Sequence, residues 1–257
     1  MKIPFYKYHG TGNDFIIVDN REMIFPKEDH KWIEKICTRK FGIGADGLML
    51  LENSDKYDFK MIYYNADGKI GSMCGNGGRC IVAFAHHLKI FEKETTFEAI
   101  GELYEAKIEN ELVNLQMNDV KAINSNKDYY FLDTGSPHHV TFKNNIDKID
   151  VYQEGKKIRY GSPYFEKGTN VNFVEKINNN TFKVRTYERG VENETLSCGT
   201  GVTAVAIASH LSKKSKSNQI KLQTLGGNLE VSFDVKNNIY KNIILKGPAT
   251  FVFKGEI

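Results

Sequence analysis

No apolar run in this sequence approaches the roughly 18 residues that a membrane-spanning helix needs, so no such span is expected. The opening MKIPFYKYHG has no apolar h-region, which argues against a secretory signal. An excess of one charge is also missing. Lys and Arg number 35 against 32 Asp and Glu, and the net +3 is spread along 257 residues, too mild a balance to point to nucleic acid or an anionic membrane. The one basic cluster, Lys213, Lys214 and Lys216, reads as the solvated end of a helix. Cysteine is scarce: four residues with no C-x-x-C pair make no disulfide framework, and a reducing cytoplasm is the expected compartment. No G-x-G-x-x-G loop of the dinucleotide type follows a strand. Hydrophobic residues at 40% and charged residues at 26% are those of an ordinary globular chain, which argues against disorder and collagen-like structure. The length is one at which a single core stops growing and chains divide, so two domains are expected.

The sequence contains a duplication. FKMIYYNADGKIGSMCGNGGRCIVAFAHHL resembles FKVRTYERGVENETLSCGTGVTAVAIASHL. Phe59 matches Phe182 and Tyr64 matches Tyr187 at a separation of 123, while Cys74 matches Cys198 and His86 matches His210 at 124. Outside this core, Thr11-Gly12-Asn13 matches Thr134-Gly135-Ser136 at 123, and Gly44-Ala45-Asp46 matches Gly168-Thr169-Asn170 at 124. Alternating apolar positions predict strands through Val113, Leu115 and Met117 and through Leu229, Val231, Phe233 and Val235. After each Cys-Gly-x-Gly the chain turns small and apolar, the pattern of a helix buried on all sides. A shorter amphipathic helix is expected over Lys27 to Thr38, with Trp32, Ile33, Ile36 and Cys37 inward and a weak echo at Val151 to Ile158. The expected architecture is α+β: two pseudo-symmetric domains, each an antiparallel sheet or barrel wrapped around a central helix. The domains are assigned to residues 1–118 with 249–257, and to 119–248.

Cys74-Gly75-Asn76-Gly77 and Cys198-Gly199-Thr200-Gly201 stand where a loop enters each buried helix. A helix start carries unpaired N–H groups and about half a positive charge, so it binds a carboxylate and favours a thiolate. Glycines let the ligand approach closely. A buried cysteine is ordinarily an inert hydrophobe, and Cys37 and Cys80, inside helical apolar patterns, belong to that class. Repetition at one point of both copies separates Cys74 and Cys198 from them. Zinc does not fit: Cys74-x5-Cys80 before His86 and His87 lacks closed-site spacing, and the second copy has no counterpart to Cys80. A redox pair remains open, since it needs only two thiols within bonding range. Two thiols on opposite faces of one carbon could also invert a stereocentre, one removing the α-proton and the other supplying a proton, without a cofactor.

In order along the chain, KYHGTGNDFIIVD, GIGADGLMLLE, YYNADG, MCGNGGRC, GSPHHV, TNVNFV, YERGVENETLSCGTG and LGGNLEV resemble the diaminopimelate epimerase family, from about Phe5 to Gly247. That resemblance implies the two-domain fold above, interconversion of L,L- and meso-diaminopimelate without cofactor or metal, and a homodimer. It implies that Cys74 and Cys198 are the acid–base thiols, that His138 and Glu188 tune them, and that Gly75, Asn76, Gly199 and Thr200 hold the reacting carboxylate. It implies that Asn13 grips the substrate and that Asn65, Asn170, Glu188 and Arg189 hold its distal amino-acid end, where a planar guanidinium suits a carboxylate. By itself His138 would read as a turn or core histidine, and Glu188-Arg189 as a surface ion pair. His9 reads as structural. Two positions depart from the family pattern: Ser136 stands where Asn is frequent, and Gly47 where Gln is frequent. The alternatives are a related proline or hydroxyproline racemase, whose substrates have no distal amino-acid end; a phenazine-type isomerase, a branch without the cysteine pair; a thiol redox protein; and a non-catalytic binding module.

Overall fold

The computed structural model describes residues 2–71 and 73–257. Two compact units divide the chain: one runs to Leu115 and takes in Gly247–Ile257, and the other is Gln116–Lys246. The chain begins with β1 (Pro4–Gly10), β2 (Asn13–Asp19), α1 (His30–Cys37), β3 (Gly47–Glu52), β4 (Phe59–Asn65), α2 (Gly75–His87), β5 (Glu94–Ala99), β6 (Glu102–Glu109) and β7 (Leu112–Met117). It continues through β8 (Ile123–Ser125), β9 (Tyr130–Asp133), β10 (Pro137–Phe142), α3 (Val151–Tyr160), β11 (Asn170–Lys176), β12 (Thr181–Glu188), β13 (Asn193–Thr195), α4 (Gly199–Leu211), β14 (Gln219–Thr224), β15 (Gly227–Lys236), β16 (Ile239–Pro248) and β17 (Thr250–Glu256). None of the described helices is long and apolar enough to cross a membrane.

The α+β duplication is present, with sheets that are mixed rather than wholly antiparallel. β2 runs parallel to β3, β4 to β5, β10 to β11 and β12 to β14. Each of these pairs is separated in the chain by a helix, and a helical crossover returns the chain in the direction it left, which a tight hairpin cannot do. α1 begins at Asp29, whose carboxylate accepts from the Trp32 N–H, and it buries Ile33, Ile36 and Cys37. α3 is capped the same way by Asp150 on the Gln153 N–H.

Side-chain alternation places the two helices of each unit on opposite sheet faces. Leu48 and Leu50 of β3 join the cluster of Ile33, Ile36 and Cys37 on α1, while Met49 faces the start of α2. In the second unit Val171 and Phe173 of β11 join Val151 of α3, and Asn172 faces the start of α4. The ladders agree: Leu48 lies opposite Tyr64 as Val171 lies opposite Tyr187. Met49 is therefore the counterpart of Asn172. The matching of Gly44-Ala45-Asp46 at 124 is one residue out for β3, and the slip between copies falls after β4 and β12. A second departure is Val235, which is exposed although Leu229, Val231 and Phe233 are buried. The β15 ladder to β16 shifts register between Ser232 and Asp234, which turns the end of the strand over.

Candidate active site

Cys74 and Cys198 are the N-cap residues of α2 and α4, with φ/ψ of −113°/126° and −129°/115°. Their carbonyls accept the first helical bonds, from Gly78 at 2.7 Å and Val202 at 2.9 Å. Neither thiol caps its own helix, and the amides of the first turn have no intrahelical carbonyl to meet. Both helices are buried along most of their length. Cys198 is 8% exposed, and among the described residues no two cysteines form a disulfide. The other two are insulated: burial pushes Cys37 up to about 12 and raises Cys80 further.

Around Cys74 the first unit builds a chain of amides. Cys74 Sγ donates to Asn13 Oδ1 at 3.6 Å, and Asn76 Nδ2 donates to the same oxygen at 3.2 Å. Asn13 Nδ2 donates to Asp46 at 2.6 Å. Arg39 binds both Asp46 and Asp14, and Lys7 reaches Asp14 at 2.8 Å. Burial alone would raise the Asp14 carboxyl, but Arg39 and Lys7 hold it down at about 2. Behind the helix start lies Arg79, wholly buried. Its guanidinium donates to Asn76 Oδ1 at 3.0 Å, the Gly75 carbonyl at 3.2 Å, Thr11 Oγ1 at 3.4 Å and the Pro248 carbonyl at 3.3 Å. Among the described residues no carboxylate pairs with it.

Around Cys198 the second unit places Thr200 Oγ1 at 3.4 Å from the sulfur and 2.9 Å from His138 Nε2. His138 is fully buried, and burial, aided by the charge of Arg189, pushes it down to about 3, so its ring is neutral. Asn172 Nδ2 donates to His138 Nδ1 at 3.1 Å.

Other expected residues form a second group in this unit. Asn170 Nδ2 donates to Ser136 Oγ at 2.8 Å and to the Pro137 carbonyl, while Asn170 Oδ1 accepts from the Arg189 N–H at 2.8 Å. Ser136 thus keeps a polar partner with a short side chain. The Arg189 guanidinium donates to the Lys167 carbonyl at 3.0 Å, and Arg189 borders a cavity of about 660 Å³ lined also by Pro137, Tyr164 and Gly168. Glu188 accepts from the Thr195 hydroxyl at 2.9 Å. Asn65 ends β4 in the turn to Lys69. Gly47 is explained by packing: a Cβ there would lie 2.5 Å from the Tyr63 ring and from the Tyr64 carbonyl oxygen. His9 accepts from the Gly12 N–H at 3.3 Å, a turn contact.

Within each unit the structure therefore gathers Cys74 with Asn13 and Asn76, and Cys198 with Thr200 and His138. Sequence reasoning missed Arg79, Asp46 and Asn172. The one available signal was a charged residue, Arg79, one turn into a helix otherwise read as buried.

A family model described as diaminopimelate epimerase matches residues 5–123 and 130–252. The diaminopimelate epimerase of Flavobacterium psychrophilum is 56% identical over 253 residues, covering 98% of this chain and 99% of that protein. The one from Chlorobaculum tepidum is 44% identical over 257 residues, covering 96% and 98%. Among solved structures, a phenazine biosynthesis protein of the PhzF family from Bacillus anthracis superposes with a TM-score of 0.77 at 15% identity, covering 100% of this chain and 99% of that one. A hydroxyproline epimerase from Agrobacterium vitis, with trans-4-hydroxy-L-proline bound, gives 0.71 at 12% identity, covering 100% and 92%. At such identities these two share the fold. The family model and end-to-end relatives carry the finer assignment: the chain belongs to the diaminopimelate epimerase family.

Proposed function

We propose that this protein interconverts L,L- and meso-diaminopimelate by two-thiol proton transfer. One thiolate takes the proton from the α-carbon, leaving the electron pair delocalised onto the adjoining carboxylate. The other thiol gives its proton to the opposite face, so one thiol and one thiolate remain with roles exchanged. Gly75 and Asn76 at the start of α2, and Gly199 and Thr200 at the start of α4, are assigned to the reacting carboxylate as amide and side-chain donors. Preorganised donors of that kind are worth about 2.7–4 kcal/mol each where they have been removed from oxyanion sites. The observation that carries the reading is the equivalent placement of Cys74 and Cys198 as N-caps of two buried helices, in a chain matched by the family model over both copies.

Asn65, Asn170, Glu188 and Arg189 serve the distal amino-acid end. Support comes from Arg189: its backbone is held by Asn170, and among the described residues its guanidinium meets a backbone carbonyl rather than a carboxylate. His138 and Glu188 act on the thiols. Four cysteines outside any disulfide suit a reducing cytoplasm. A homodimer is supported by β17, which pairs with β1 and exposes Phe251, Val252 and Phe253 at 44%, 51% and 44%.

The test is purified protein with L,L-diaminopimelate, following the meso product, with proline as comparison. In deuterated water, early product should carry deuterium at the inverted carbon while unconverted substrate keeps protium. Cys74→Ala and Cys198→Ala should each abolish turnover. Retained turnover in either, or label in recovered substrate at low conversion, refutes the two-thiol scheme.

A further inference from the structure

We propose that Asn172 is a positioning residue for Cys198: by donating to His138 Nδ1 it fixes that ring as the neutral Nε2–H tautomer, and the hydrogen-bond direction this imposes turns the Thr200 hydroxyl proton toward the sulfur. The inference rests on the reading of Cys198 as an acid–base thiol.

The direction of every bond in the chain follows from groups that have no choice. Asn172 Nδ2 donates to the His139 carbonyl at 3.1 Å, and Asn172 Oδ1 accepts from the Thr186 hydroxyl at 3.0 Å. A carbonyl can only accept, so the amide cannot be turned over without setting two oxygens against each other. Its NH₂ therefore faces His138, and Nδ1 must accept. A neutral imidazole that accepts at one nitrogen donates at the other. Nε2–H then donates to Thr200 Oγ1, and the Thr200 proton is left for Cys198, where it favours the thiolate.

The duplication shows what this arrangement replaces. At the positions of His138, Asn172 and Thr186 the first unit has Phe15, Met49 and Tyr63, as the paired ladders place them. Phe15 and Met49 are wholly buried, as are His138 and Asn172. The same fold thus packs an apolar pair where the second copy holds a satisfied polar network, so the network is not required to build the sheet. Buried polar groups cost stability unless fully bonded, and here each is bonded in a defined sense toward one sulfur.

Few ionisable groups share this surrounding. On α4 they are Cys198 and, at the far end, His210, which bonds the Tyr240 hydroxyl. On β10, His139 bonds Tyr164 instead. The end of β12 and the residue after it bring Glu188, held by Thr195, and Arg189, whose charge further disfavours an imidazolium at His138. β9 ends in Asp133, which accepts from the Gly135 N–H.

The test uses the unliganded full-length protein and iodoacetamide, with the pH midpoint of alkylation read separately at Cys74 and Cys198 by mass spectrometry. Midpoints are preferred to rates because they do not depend on access. Thr200→Val should raise the Cys198 midpoint by about one pH unit, a tenfold loss of thiolate below both midpoints, with Thr200→Ser restoring it. Asn172→Met, which installs the first copy's residue, should raise it in the same direction, and the double variant should go no further than Thr200→Val alone. The Cys74 midpoint should stay put throughout. Imidazole nitrogen NMR on the wild type should show His138, assigned by its loss in His138→Phe, as Nε2–H across neutral pH. An Nδ1–H or doubly protonated ring, an unmoved Cys198 midpoint, or additive effects of the two substitutions would overturn the proposal. No substrate enters these measurements, so their failure is distinct from a failure to epimerise diaminopimelate.

Discussion

Gly77 and Gly201 occupy the same position in the first turns of α2 and α4, yet their surroundings predict opposite responses to one added methyl group. A Cβ on Gly77 would lie 3.4 Å from Met49 Sδ and 3.6 Å from its next neighbours, ordinary van der Waals contact. A Cβ on Gly201 would lie 2.7 Å from Asn172 Oδ1, 3.2 Å from the Cys198 Cβ and 3.3 Å from His138 Cε1. Both substitutions gain the helix preference of Ala over Gly, roughly 0.5–1 kcal/mol. That gain cancels in the comparison, leaving the overpacking cost, about 1–3 kcal/mol, on Gly201→Ala alone. At about 2–4 °C per kcal/mol for a protein approaching this size, a 2 kcal/mol difference separates the two melting temperatures by roughly 4–8 °C. Gly77→Ala should melt at or slightly above the wild type. Gly201→Ala should melt below it and lose turnover through a lower kcat, since the methyl group displaces the Asn172 amide from His138. Thermal scans with epimerase assays on the same preparations decide the matter. If Gly201→Ala melts as high as Gly77→Ala and turns over normally, the packing around the second helix start is not what has been described.

Two further outcomes follow from the same structure. His138 and His139 are held neutral, at about 3 and about 4, against an ordinary value of 6.5. Between those values the unfolded chain binds protons that the folded one does not, so their contribution to stability is complete above about pH 6.5 and is lost as pH falls toward 3 to 4. Melting temperatures at about pH 7 and about pH 4.5 should therefore diverge less in His138→Phe than in the wild type; an equal acid loss would assign the sensitivity elsewhere. For the proposed homodimer, Phe251→Lys places a charge on the exposed face of β17, and light scattering should report a monomer from a wild type of twice that mass; an unchanged mass moves the interface off this strand.

How much was legible in the sequence varies with the kind of information each residue carries. The helices around Cys74 and Cys198 announced themselves because the Cys-Gly-x-Gly start and the small apolar run recur. The inward face of α1 was readable from the spacing of Ile33, Ile36 and Cys37. The register of β3 against its partner copy was not, because Leu48, Met49, Leu50 and Leu51 are all apolar and all buried, so a shift by one changes nothing in the pattern. Only the ladder partners and the helix each side chain faces resolve it. Asn172 was hidden for the opposite reason. One amide in a strand looks like an outward-facing position, and its partners His138 and His139 lie more than 30 residues away in the chain. Parallel pairing was missed because alternation reports burial, whereas strand direction follows from the intervening helix.

The comparison of the two copies extends to their charges. Arg79 stands at the fifth residue of α2, and the fifth residue of α4 is Thr203, whose hydroxyl bonds back to the Gly199 carbonyl at 2.9 Å. A neutral side chain closes the helix turn there without help from elsewhere. The guanidinium at the same place in the first copy is fully buried, and burial lowers its affinity for a proton while the neighbouring thiols Cys74 and Cys80 raise it. Its bonds fix Asn76, and Asp46 fixes Asn13, so Asn13 turns an oxygen toward Cys74. Cys198 meets the Thr200 hydroxyl instead. A positive charge and an acceptor oxygen therefore attend one sulfur, a neutral relay ending in a hydroxyl attends the other, and the backbone frame beneath them is the same. Equivalence in the fold is thus compatible with inequivalence in the chemistry, because a helix start fixes where a thiol sits, while the side chains one strand away decide what it meets.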